Sequence, residues 1–136
     1  ISNINISGIT AYASSPIGCS ITGIFKGKIK GISLSNCRFA CPGGISENMN
    51  NVIMKELEEL YPESTMFGLL PSYGLYVRHV NDINLDNIVF ELKQEDSRPA
   101  IVCDDVTGGN IRNITTIGAK NKAEIRILDN SVIELK

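Results

Sequence analysis

The feature that most constrains this chain is a repeat. Ile1-Ser-Asn-Ile4-Asn-Ile6-Ser-Gly8-Ile9 returns as Ile29-Lys-Gly-Ile32-Ser-Leu34-Ser-Asn36-Cys37. It returns again as Val80-Asn-Asp-Ile83-Asn-Leu85-Asp-Asn87-Ile88, and as Val106-Thr-Gly-Gly109-Asn-Ile111-Arg-Asn113-Ile114. A weaker fifth copy starts at Val132. Self-similarity at a fixed period is the mark of a stacked architecture. The steps are about 28, 51, 26 and 26 residues, and the long one reads as one period plus an insertion. Leu75-Tyr-Val77-Arg-His79-Val80 also aligns with Ile101-Val-Cys103-Asp-Asp105-Val106, and a further period lands on Ile127 and Val132.

Within each copy apolar residues alternate, as in Ile4/Ile6, Ile32/Leu34 and Ile83/Leu85. Period two places them on one face of a strand. Twenty Ile, thirteen Asn and twelve Gly suit short strands joined by tight corners. The expectation is an all-β chain, a right-handed single-stranded parallel β-helix of about five coils. Ile would stack on Ile in the interior, and Asn36, Asn87 and Asn113 at one corner. Leucine-rich repeats differ in consensus and period, and a β-sandwich would show no such self-similarity.

The chain has 136 residues, enough for one domain, with an insertion at residues 42–72. Cys41-Pro-Gly-Gly44 predicts a turn. The run Asn51-Val-Ile-Met-Lys-Glu-Leu-Glu-Glu-Leu60 predicts a helix capped by Asn50 or Asn51, with Val52, Ile53, Leu57 and Leu60 as its packing stripe. Thirteen basic and fifteen acidic side chains make no case for nucleic acid. No apolar run is long enough to span a membrane. Cys19, Cys37, Cys41 and Cys103 form no C-x-x-C pair, and the lone His79 completes no zinc pattern, so neither metal nor cofactor is expected. Cys37 and Cys103 fall at inward positions and read as buried, inert thiols.

Several stretches stand out: Cys19-Ser-Ile-Thr-Gly-Ile24, residues 29–39, Pro42-Gly-Gly44 and Tyr61-Pro-Glu63. The densest is Met66-Phe-Gly-Leu-Leu-Pro-Ser-Tyr-Gly-Leu-Tyr-Val-Arg-His-Val80, followed by Arg98-Pro-Ala-Ile-Val102 and Asp105-Val106. In this order they resemble the C-terminal part of bacterial polygalacturonase-like enzymes, glycoside hydrolase family 28. The resemblance implies a right-handed parallel β-helix, a pectic polysaccharide as the partner of the intact enzyme, and a secreted or periplasmic location. It also implies inverting hydrolysis of galacturonosyl bonds by paired carboxylates. The family's Asn-Thr-Asp, Asp-Asp, Gly-His-Gly and Arg-Ile-Lys segments have no match here. Asp104-Asp105 falls in the coil repeat and Lys28-Ile29-Lys30 opens one. No catalytic residue is therefore assigned, and the family's order would put those segments before Ile1.

Candidate substrate-binding residues are Tyr76, Arg78, His79 and Tyr61. Tyr76 and Arg78 alternate with inward Leu75 and Val77, so they leave the interior together and could stack on a sugar and clamp its carboxylate. The blander assignment is preferred: they anchor the insertion, Arg78 pairing with Glu63 or another acid. His79 sits where the next copy has Asp105, which favours a local hydrogen bond. Asp104 and Asp105 read as a solvated corner. Tyr61, Met66, Phe67 and Tyr73 could line a carbohydrate cleft, but a small core of their own is the plainer reading. The alternative to the hydrolase portion is a non-catalytic module, either binding acidic polysaccharide or purely structural. Homo-association is expected through the first coil, where Ile1, Ile4, Ile6 and Ile9 would meet water.

Overall fold

A computed structural model describes residues 1–119 and 124–136. Among them are eight strands and no helix. Three strands are long: β4 (Ile29–Cys41), β5 (Leu75–Leu92) and β6 (Ile101–Ile117). The short ones are β1 (Ser2–Ser7), β2 (Thr10–Tyr12), β3 (Cys19–Thr22), β7 (Ile125–Ile127) and β8 (Val132–Leu135).

All pairings between these strands are parallel. β1 and β2 pair with β4, β3 and β4 with β5, β5 with β6, and β6 with β7 and β8. The register follows the repeat: Ile4 beside Ile32, Ile32 beside Ile83, Leu34 beside Leu85, Leu85 beside Ile111. The last step is shorter than the expected 26. Ile125 lies beside Ile101 and Ile127 beside Cys103, a step of 24 residues. A further register shift falls between Thr107 and Asn110.

Ordinary strands run about 5–6 residues, whereas β5 has 18. The excess is possible because single residues in left-handed backbone bend the long strands. Asn36, Asn87 and Asn113 have φ of 54°, 55° and 54°, and His79 and Asp105 have 53° and 54°. Asn and Asp tolerate this region through local hydrogen bonds, and His is enriched there too. Asn87 Nδ2 donates to Asn36 Oδ1 at 2.8 Å, but the expected amide stack stops there, because Asn113 Nδ2 donates to Asp86 Oδ1 at 2.8 Å instead.

The core is the inward face of these strands. Ile83, Leu85 and Ile88 are fully buried, with Ile111 beside them. Cys37 and Cys103 belong to the same core, and burial pushes the Cys103 thiol up to about 12. Phe90 stacks on Phe39 at 5.7 Å and meets Tyr73 edge-on at 6.2 Å. On the β1 side Ile1 and Ile9 are exposed, while Ile4 and Ile6 are half-buried against the core.

The expected helix over residues 51–60 is not formed. Isolated turns stand in its place, closed by Val52 N to Met49 O at 3.2 Å and Leu60 N to Leu57 O at 3.0 Å. The expected stripe does not pack either, since Val52, Ile53 and Leu60 are exposed. Ten residues of good helix formers are marginal without tertiary support. Here the tertiary contacts select another shape. Met54 is buried with Leu70, Tyr76 and Val102, and the Lys55 carbonyl accepts from Arg78 Nη1 at 3.1 Å.

Candidate functional site

The first five residues of β5 build the site. Leu75 and Val77 enter the main core, which turns Tyr76 and Arg78 to the opposite face. That face is covered by the inserted segment. Met54, Leu70, Tyr76 and Val102 form a second apolar cluster, with Ile17, Phe67 and Leu128 packed against it.

Charged groups sit on top of this cluster. Tyr76 Oη donates to Asp104 Oδ2 at 2.7 Å, and burial drives the Tyr76 phenol well above its usual range. Arg78 Nη2 pairs with Glu56, and Arg78 Nε lies 3.3 Å from Asp104 Oδ2. Asn130 Nδ2 donates to Asp104 Oδ1 at 2.8 Å, while Asn130 Oδ1 accepts from the Asp105 amide at 2.9 Å.

His79 is central. Its Nδ1 is 2.7 Å from Asp105 Oδ2, and its Nε2 is 3.1 and 3.2 Å from the two Glu56 oxygens. The Phe25 ring meets it edge-on at 5.7 Å. Lys28 Nζ donates to Asp105 Oδ1 at 2.6 Å. Burial works against the charged form of Asp105. Hydrogen bonds from Lys28 and His79 nevertheless hold its carboxyl below the usual range.

Beside this network lies an open cleft of ≈ 690 Å³ between β3 and the insertion. Thr22, Glu56, Leu60 and Phe67 are among its lining residues. Glu58 and Glu63 also line it, and among the described residues no Lys, Arg or His does. Among the described residues no three His, Cys, Asp or Glu side chains converge in a way that could hold a metal ion.

Comparison with protein-family models, curated proteins and solved structures found no match.

The structure brings together three of the four expected site residues. Tyr76, Arg78 and His79 are 1%, 7% and 2% exposed and already partnered, so no sugar reaches them while the insertion is seated. Tyr61 stands apart, 85% exposed. Arg78 does pair with an acid of the insertion, but with Glu56 rather than Glu63. Met66 and Phe67 line the cleft, whereas Tyr73 joins the main core. The expected solvated corner at Asp104 and Asp105 is corrected. Their side chains are 15% and 16% exposed, and both are bound by side chains of other segments.

Sequence reasoning missed Lys28, Glu56 and Asn130. Asn130 was within reach, because it stands 26 positions after Asp104, as Asp104 does after Arg78. Glu56 was hidden by its place in a helix-like run. Lys28 carried no signal of its own.

Proposed function

We propose that this chain is part of a right-handed parallel β-helix in a polygalacturonase-like glycoside hydrolase acting on pectic polysaccharide. The five strand layers would be its coils, with residues 42–72 inserted on one side. In this reading the chain supplies scaffold, and the carboxylates that hydrolyse the galacturonosyl bond lie outside its 136 residues. The all-parallel register and the left-handed residues recurring at matched places support the β-helix.

One observation carries the functional reading. The densest of the stretches through which the chain resembles these hydrolases, Met66 to Val80, and the later Arg98 to Val102 hold the end of the insertion against the sheet. Arg98 Nη1 donates to the Leu70 carbonyl at 3.1 Å, and Tyr76, Val102 and Leu70 share one cluster. The resemblance thus falls on a working structural unit. Tyr76, Arg78 and His79 are then positioning residues. Inverting hydrolysis needs an acid and a water-activating base on opposite faces of one bond. Asp104 and Asp105 are each already engaged by neighbouring side chains.

The test is release of reducing ends from polygalacturonate. The chain alone should release none, and a longer protein containing it should be active. Turnover by the chain alone, abolished by Asp104→Asn or Asp105→Asn, would overturn the assignment. Retardation of the inactive chain in a polygalacturonate gel would move the reading to a binding module. As an isolated polypeptide it is proposed to self-associate through the exposed edge of β1, which light scattering would detect.

A further inference from the structure

We infer that His79 is a proton-dependent clamp that holds the segment around Glu56 against the sheet and so sets the opening of the cleft beside it. The inference rests on geometry and stands apart from the pectic reading. Two carboxylates face opposite nitrogens of one imidazole: Asp105 on Nδ1 at 2.7 Å, Glu56 on Nε2 at 3.1 and 3.2 Å. A carboxylate only accepts, so both contacts are hydrogen bonds when both ring nitrogens carry protons. With one proton lost, a nitrogen lone pair faces a carboxylate at hydrogen-bond distance. The ring is 2% exposed and Asp105 is held by Lys28, so the partner free to turn to water is Glu56, whose side chain is 46% exposed.

The charged groups around the ring come from four places. Arg78 lies beside it on β5 and pairs with Glu56. Asp105 and Asp104 come from β6, the latter engaged by Arg78 and Tyr76. Lys28 reaches Asp105 from the connection before β4. Glu56 comes from the insertion, and Glu58 accepts from the Phe25 amide at 3.1 Å, next to the ring's edge contact. Lys28 and Arg78 keep the two carboxylates occupied whatever the ring does. The ring's second proton is the variable part of the lock. Glu56 and Leu57, which it secures, also line the cleft with Leu60 and Glu63. Loss of that proton loosens this wall.

Hydrogen exchange on the full chain, corrected for intrinsic rates and run from about pH 5.5 to 8.5 across the imidazole range, tests the clamp. The reporter is the Leu60 amide, bonded to the Leu57 carbonyl at 3.0 Å. Its protection should fall on the order of ten-fold as pH rises, the worth of a charge-assisted hydrogen bond. His79→Asn keeps a residue suited to left-handed backbone and should flatten the profile. Glu56→Gln should flatten or invert it, because its amide can donate to an unprotonated Nε2. Ring-nitrogen NMR shifts of the wild type should show both nitrogens protonated at the acid end. A flat wild-type profile, or a neutral ring at pH 5.5 with the segment still protected, would overturn the clamp.

Discussion

At the residue scale, one ion pair carries more than its neighbours. The Asp96 and Arg98 side chains are both fully buried. Arg98 Nε and Nη2 bond the two Asp96 oxygens at 2.9 and 2.8 Å, and Nη1 reaches the carbonyls of Leu70 and, more weakly, Ile17. Burial alone would raise Asp96, yet its bonds with Arg98 hold it below the usual carboxylate range. Removing one partner strands the other charge in the interior. Arg98→Leu should therefore cost about 3–5 kcal/mol in urea unfolding. Replacing both partners with apolar residues should recover most of that loss.

Gly109 is the second such position. In the repeat it stands where other copies have Ile4, Ile32 and Ile83. Its φ is +91°, and a Cβ there would lie 1.9 Å from the Ile83 carbonyl oxygen. Restoring the consensus with Gly109→Ile, or merely adding a methyl with Gly109→Ala, should destabilise by at least ~2 kcal/mol. Thermal unfolding would check it. Repeat logic alone predicts the opposite sign.

At the scale of elements, the contrast between strands and insertion shows what a sequence reveals. The strands were legible because Ile32/Leu34 and Ile83/Leu85 alternate and then recur at the period of stacking. Local pattern and tertiary neighbours there say the same thing. Residues 51–60 were misread because their local preference is helical while their partners are distant. The Lys55 carbonyl is taken by Arg78, 23 positions on, and no local pattern announces that. The site was half legible for the same reason. Tyr76 and Arg78 followed from alternation and His79 from its repeat position before Asp105, but Glu56 and Lys28 arrive from irregular connections.

The elements also predict a pH response. Asp105 binds β6 to the connection before β4 through Lys28 and to β5 through His79. Its folded pKa is depressed below the ordinary value of 3.8. The sign follows: this contribution is present above the unfolded value and is lost as pH falls through the folded one. Stability should decline on acidification below about pH 4. Lys28→Gln should make that acid limb shallower in denaturant titrations at stepped pH. An unchanged limb would remove Asp105 from the account.

At the scale of the whole molecule, most of the buried apolar side chains belong to one interior shared by the strand layers. Ile83 lies between Ile32 on one neighbouring strand and Gly109 on the other, and is fully buried. Ile83→Asp would place an unpaired carboxylate among the buried apolar side chains of the main core. Loss of the folded state, seen as failure to express or a flattened circular-dichroism melt, is the expected result. A soluble variant of wild-type stability would mean that the strand register is wrong.

The central claim is that this register is parallel and follows the repeat. Methyl-to-methyl nuclear Overhauser contacts in an Ile, Leu and Val labelled chain test it most directly. The account predicts contacts of Ile83 with Ile32, of Leu85 with both Leu34 and Ile111, and of Ile88 with Ile114. Contacts confined to residues close in sequence, or pairings whose numbers rise on one strand as they fall on the next, would contradict it.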